Sequence, residues 1–219
     1  MDTRIYILIY NFVHKHTFLH KPIIFLNNTT PKIMMLLFYG CIPVLAIQLD
    51  KRVIPYTIIP LIGLMLVTKF RNIINRPRPF DVLYVTPLEE HSSGHSFPSL
   101  HCSSSFVITC ALFYIHPTLG TIGLVVSIFV ALSRLLSGVH YPADIIGGII
   151  IGTLFGLLFL YLWYFITHHK IVNSSSNIFS FKKNFIYRLC NWHWDIILPC
   201  QFFCSFCRIY TFNNHMHFI

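Results

Sequence analysis

The chain has 219 residues, of which 55% are hydrophobic and only 11% charged. Its mean hydropathy is +0.65. A soluble domain carries about 25% charged residues, so this composition argues against a water-soluble globule and for a chain whose solvent is a bilayer. The formal net charge is +9, from 16 Lys and Arg against 7 Asp and Glu. The basic residues do not form an aromatic-interleaved groove, which excludes nucleic acid as the expected partner. Membrane-flanking anchors and a pocket for an anionic substrate remain.

Taken in chain order, Ile5 to Leu26 is apolar but interrupted by His14, Lys15, His16, His20 and Lys21. It reads as an interfacial amphipathic helix or a first membrane segment. No small-residue cleavage site follows it, so a signal peptide is not expected. Five runs approach the roughly 20 apolar residues that a spanning helix needs. They are Ile33–Leu49, Val53–Lys69, Phe97–Ile115, Leu119–Leu136 and Ala143–Ile166. Asp50-Lys51-Arg52 and His116-Pro117 are tight turns, while Arg71 to Ser96 is a long polar loop of the kind that carries function. Gly148, Gly152 and Gly156 recur every four residues, a spacing that lets helices pack closely. The expected fold is an all-α polytopic membrane bundle of about five or six transmembrane helices. The expected divisions are 1–32, an N-terminal interfacial or first membrane segment; 33–168, the membrane domain; and 169–219, a basic tail with cysteines.

Of the seven cysteines, Cys41, Cys102 and Cys110 lie in apolar runs and read as small buried hydrophobes. An odd count gives no disulfide framework. Cys200, Cys204 and Cys207, with His193, His215 and His217, fit no regular zinc spacing, so no metal is expected in the tail.

Ionisable residues near membrane depth are functional candidates by default, and here they fall into three groups. Lys69 is followed, after six residues, by Arg76-Pro77 and then Arg78-Pro79. Lys supplies a point charge for phosphate and Arg a planar fork, although charge sorting at a membrane leaves such clusters too. The second group is Ser96-Phe97-Pro98-Ser99-Leu100-His101. With Pro98 at a first helical position, free N–H groups and the Ser99 hydroxyl can bind an anion beside His101; a plain N-cap with a core histidine is the alternative. The third is Ser133-Arg134, five residues, His140, three residues, Asp144. A carboxylate that accepts a proton from one imidazole nitrogen leaves the other for attack; an Arg134–Asp144 loop salt bridge is the alternative. Alternation of the spans brings all three groups to one membrane face, where cations, two histidines and a carboxylate suit a phosphoryl group.

In order and spacing these three groups resemble the motifs of the type-2 phosphatidic acid phosphatase superfamily, which includes lipid phosphate phosphatases and undecaprenyl-diphosphate phosphatases. The resemblance covers roughly residues 33–165. It implies a metal-independent phosphatase without cofactor that hydrolyses a lipid phosphate or diphosphate, with undecaprenyl diphosphate favoured and phosphatidic acid or phosphatidylglycerol phosphate as alternatives. It implies that His140 attacks phosphorus to form a phosphohistidine, that Asp144 orients it and that His101 is the general acid. It further implies that Lys69, Arg76, Ser99, Leu100 and Arg134 form the phosphate site. Leu100 stands where the family motif has Gly; Leu tolerates positive φ poorly, so either the backbone there is helical or the pocket is altered. A lipid phosphotransferase of the same superfamily and an inactive membrane scaffold are the rival readings. Soluble vanadium haloperoxidases share the constellation, but the apolar spans argue against that activity. Membrane lipids are the expected surroundings. Lys51, Arg52, Lys170, Lys182, Lys183 and Arg188 fall opposite the active site, which places the site on the non-cytoplasmic side of the cell membrane. Arg4, Lys15, Lys21 and Lys32 count against that arrangement unless Ile5 to Leu26 crosses the bilayer.

Overall fold

Helix is the natural outcome for this chain, because in lipid a helix satisfies its own backbone hydrogen bonds. The structure, a computed structural model, describes residues 2–89 and 93–172, with side chains described through 165. Among the described residues there are seven α-helices: α1 (Asp2–Lys15), α2 (His20–Ile47), α3 (Val53–Ile74), the one-turn α4 (Pro79–Val82), α5 (Leu100–Ile115), α6 (Pro117–Leu136) and α7 (Pro142–Val172). No strand occurs among the described residues. Residues 2–171 belong to one unit. The cysteine- and histidine-containing tail and its zinc question lie outside the described residues.

Four stretches are long and apolar enough to cross a membrane: Thr17–Ile47, Val53–Val82, Pro117–Leu136 and Pro142–Phe165. Their outward faces are apolar, with Leu36, Met65, Ile128 and Leu154 all widely exposed. In water such surfaces would aggregate; in a bilayer they meet lipid. The fifth apolar helix, α5, has only 16 residues and is buried on nearly every side. A helix apolar all round belongs at the centre of a bundle. Its hydroxyls are satisfied locally: Ser103 and Thr109 donate to carbonyls four residues back, and Thr109 Oγ1 meets Ser127 Oγ of α6 at 2.9 Å. Gly152 of α7 lies against α5 so closely that a Cβ there would fall 2.4 Å from Ser103 O. The glycine spacing therefore serves close packing of α7 on α5.

The elements depart from the expected ones in two places that matter. The runs Ile5–Leu26 and Ile33–Leu49 are reapportioned into α1 and α2, and α2 continues through Pro31 and Pro43 without a break at 32. Spanning helices accommodate proline because neighbouring groups re-satisfy the freed carbonyl. The first helix, α1, has 14 residues and a widely exposed Leu8 and Phe12, with Tyr6 and Val13 buried; it is too short to span. The run expected to end at Lys69 continues to Ile74, where Asn75 closes α3 in the left-handed conformation (φ 42°).

Helix directions follow from the turns. The Asp50–Arg52 turn contacts the end of α5, with Arg52 donating to Ile115 O at 2.9 Å. The opposite end of the bundle gathers the C-termini of α3 and α6 and the N-termini of α5 and α7. The loop of residues 75–99 crosses that end, and α1 is tied to it by Tyr6, whose hydroxyl donates to Gly138 O at 2.9 Å.

Candidate active site

The start of α7 is built around Asp144. Pro142 opens the helix and Asp144 stands at its third position. From there its Oδ2 accepts from Tyr141 N at 2.9 Å, the reach-back of an acidic third residue that caps a helix start. The same oxygen accepts from the Ser96 hydroxyl and lies 3.7 Å from His140 Nδ1. Ser96 Oγ is itself 3.4 Å from His140 Nδ1. His140 and Asp144 are both buried. His140 is delivered by the turn after α6, where Gly138 has φ +77°. Only glycine adopts that conformation without strain. Gly138→Ala is accordingly expected to cost about 1–2 kcal/mol, read as a lower thermal midpoint in detergent; an unchanged midpoint would show that the turn tolerates a side chain.

The His140 imidazole is pushed down to about 4, chiefly by burial and also by the positive charges of Arg78 and Arg71, against the upward pull of its hydrogen bond to Asp144. Those two arginines are therefore cations within electrostatic reach of the imidazole. Arg78 is buried, its Nε donates to Gly94 O at 3.0 Å, and its Nη1 has no hydrogen-bond partner. Arg71 Nε donates to His95 O. Arg134, in the last turn of α6, is buried and within electrostatic reach of Arg78. Its Nη2 approaches Asn27 O at 3.4 Å.

The α5 start joins this cluster directly, since Ser99 N donates to Asp144 O at 3.0 Å. Ser99 is the N-cap and Leu100 the first helical residue, so Pro98 lies outside the helix rather than at its first position. Leu100 has ordinary helical backbone, and the family glycine is not needed for its φ. The Ser99 hydroxyl is buried with no hydrogen bond of ordinary geometry. His101 is exposed on the first turn of α5. It lines, with Leu100, Met34, Phe38, Leu64 and Ile108, an almost wholly apolar cleft of about 260 Å³ between α2, α3 and α5.

Two residues expected in the phosphate site are placed elsewhere. Lys69 is exposed and makes no ion pair among the described residues. Arg76 is bound to carboxylates: Nη1 to Asp144 Oδ1 at 2.6 Å and Nη2 to Asp2 Oδ2 at 2.7 Å. The pair that converges on His140 has the same spacing shifted by two residues, Arg71, six residues, Arg78-Pro79. Because α3 continues past Lys69, the two registers set their first cation on different faces of the helix. Residues two apart on a helix point about 200° apart, so Lys69 and Arg71 cannot both face the site. The sequence carries two overlapping matches to the spacing, the first from Lys69 and the second from Arg71. Ser96 heads the second sequence group without an expected role, and Asp2 lies outside all three groups. Among the described residues, no three His, Cys, Asp or Glu side chains gather as a metal site would require.

Residues 52–168 match the PAP2 superfamily. The bacitracin transport permease protein BcrC of Bacillus licheniformis is 41% identical over 81 residues, 36% of this chain and 40% of that protein. The undecaprenyl-diphosphatase BcrC of Bacillus subtilis is 29% identical over 112 residues, 51% of this chain and 58% of that protein. The chain thus matches between about two fifths and three fifths of the length of these relatives. In fold it is similar to the crystal structure of Aquifex aeolicus LpxE, with TM-score 0.59 and 23% identity over 73% of this chain and 94% of that one. With the matched segment running from the α2–α3 turn through α7 and enclosing the whole His140 cluster, the chain belongs to the PAP2 superfamily.

Proposed function

We propose that this protein is an integral-membrane phosphatase that hydrolyses a lipid phosphate or diphosphate through a phosphohistidine on His140. The observation that carries the reading is a buried imidazole held beside a carboxylate, with two arginines within electrostatic reach and a largely apolar cleft lined by His101 close by. The Nδ1 edge meets Asp144 and Ser96, which leaves Nε2 for phosphorus. Nε2 attacks, the bond from phosphorus to the leaving oxygen breaks, and His101 gives that oxygen a proton. Water then attacks the phosphohistidine, His101 takes a proton from it, and the N–P bond breaks to release phosphate. Arg71, Arg78 and Arg134 hold the charged oxygens, and the free Ser99 hydroxyl and Arg78 Nη1 are donors that a phosphate would satisfy.

The cleft favours a lipid over a soluble ester, because most of its lining is apolar and suits an apolar chain. Undecaprenyl diphosphate is the favoured substrate, supported by the name of the Bacillus subtilis relative. Lys51 and Arg52 lie at the end of the bundle away from the site, so the positive-inside tendency turns the site to the non-cytoplasmic side of the cell membrane.

The test is phosphate release by detergent-purified protein from undecaprenyl diphosphate, phosphatidylglycerol phosphate and phosphatidic acid, in chelator, beside a water-soluble phosphate ester. Faster release from a lipid is expected; equal or better turnover of the soluble ester would remove the lipid assignment. The acid limb of kcat/KM reports the free enzyme. His140 is the neutral nucleophile above about 4 and protonates as pH falls through that value. Activity should therefore persist well below the ordinary histidine pKa of about 6.5 and fall near 4. Half-maximal activity near 6.5 on the acid side would contradict the buried nucleophile.

A further inference from the structure

Arg76 and Asp2 are ionised side chains at the site that phosphate binding leaves unused. The Arg76 guanidinium is already committed. One nitrogen holds Asp144 Oδ1 at 2.6 Å, another holds Asp2 Oδ2 at 2.7 Å, and the plane lies over the Tyr141 ring, 4.3 Å from its centroid. An incoming phosphate would have to displace a carboxylate to reach it. Asp2 has a second attachment, since its Oδ1 accepts from Ala143 N at 3.1 Å. Through Asp2 and Tyr6, α1 is fastened across the end of α7.

The two oxygens of Asp144 are divided between two tasks. Oδ2 serves Ser96, Tyr141 N and His140, and Oδ1 serves Arg76. A carboxylate held on one oxygen by a bidentate-capable cation cannot rotate its other oxygen away from the imidazole. An uncompensated arginine at 2.6 Å would also draw the negative charge of Asp144 away from His140. Asp2 sits on the far side of Arg76 and offsets that pull.

We propose that Arg76 and Asp2 are positioning residues that act through Asp144: Arg76 fixes the carboxylate, and Asp2, carried by α1, balances the arginine's charge. The inference rests on His140 as the nucleophile. It assigns to α1 a share in catalysis, although α1 lies outside the segment matched to the superfamily.

The test compares kcat and KM for phosphate release by the full chain with those of Arg76→Gln, Asp2→Asn, Asp2→Glu and the double variant Asp2→Asn/Arg76→Gln. Loss of the lock on Asp144 is expected to lower kcat about 10–100-fold with KM little changed, the signature of misplaced catalytic geometry. Asp2→Asn should lower kcat in the same sense by less, Asp2→Glu should recover part of it, and Asp2→Asn should add nothing in the Arg76→Gln background. A raised KM at unchanged kcat in Arg76→Gln would make Arg76 a phosphate ligand and overturn the proposal. Additive losses would place the effect of Asp2 elsewhere and overturn it too. If Arg76→Gln does not fold, Asp2→Asn decides, and wild-type kcat in that variant overturns the proposal. A wild-type chain inactive on every lipid is a separate result: it removes the nucleophile reading, and this inference with it.

Discussion

His140→Ala is expected to abolish phosphate release, by at least about 10³-fold, the scale on which removing a nucleophile acts when binding and charge stabilisation are left in place. Arg71, Arg78 and Arg134 can hold a phosphate and spread its charge, but none of them can form the N–P bond that divides the reaction into two steps. Alanine leaves the Asp144 contacts to Tyr141 N, Ser96 and Arg76 intact. The loss should therefore fall on kcat while the variant keeps the detergent behaviour of the wild type. Release within about tenfold of wild type would rule out a histidine nucleophile, because tenfold is only about 1.4 kcal/mol of barrier.

The second large effect separates the two registers of the basic motif. Arg78→Gln is expected to reduce kcat/KM about 10²–10³-fold, the usual cost of removing one preorganised charge donor. Lys69→Gln is expected to change it by less than about threefold. The reason lies in surroundings, since both are cations of one loop-proximal cluster. Arg78 is buried beside the imidazole, where low dielectric magnifies its charge. Lys69 is exposed on the outer face of α3, where solvent or headgroups screen it. Measuring both variants on one lipid substrate is enough. A large loss in Lys69→Gln with near-normal Arg78→Gln would restore the earlier register and displace the site drawn around Arg78.

Much of this was legible beforehand, and the exceptions have physical causes. The apolar runs gave the bundle because a spanning helix has no alternative way to satisfy its backbone. His140, Asp144 and Ser99 were legible as a group because prolines mark the helix starts beside them, and Arg134 because it closes the apolar run of α6; all four lie at one end of the bundle. Lys69 and Arg76, expected at the phosphate, lie on an exposed helix face and between two carboxylates, because α3 outlasts its apolar run by more than a turn, ending at Ile74. Hydropathy falls where charged side chains begin, but a helix ends only where its backbone is turned, here at Asn75. No helix boundary falls near residue 32 for a related reason, since Pro31 reads as a break in water and is carried inside α2. The roles of Ser96 and Asp2 were not legible because they depend on tertiary closeness: Asp2 lies 142 positions from Asp144 in the chain and reaches it only through Arg76.

The shortness of α5 has a consequence for depth. Sixteen helical residues measure about 24 Å, against a hydrocarbon thickness of about 30 Å. The helix whose first turn carries Ser99 and His101 therefore cannot reach both faces of the bilayer. Its far end is tied to the Asp50–Arg52 turn by Arg52 on Ile115, so a bilayer whose surface meets that turn leaves the first turn of α5 about 6 Å short of the other surface. For the proposed lipid substrate, the phosphate then has that distance to descend, and bilayer thickness becomes a dimension of the active site.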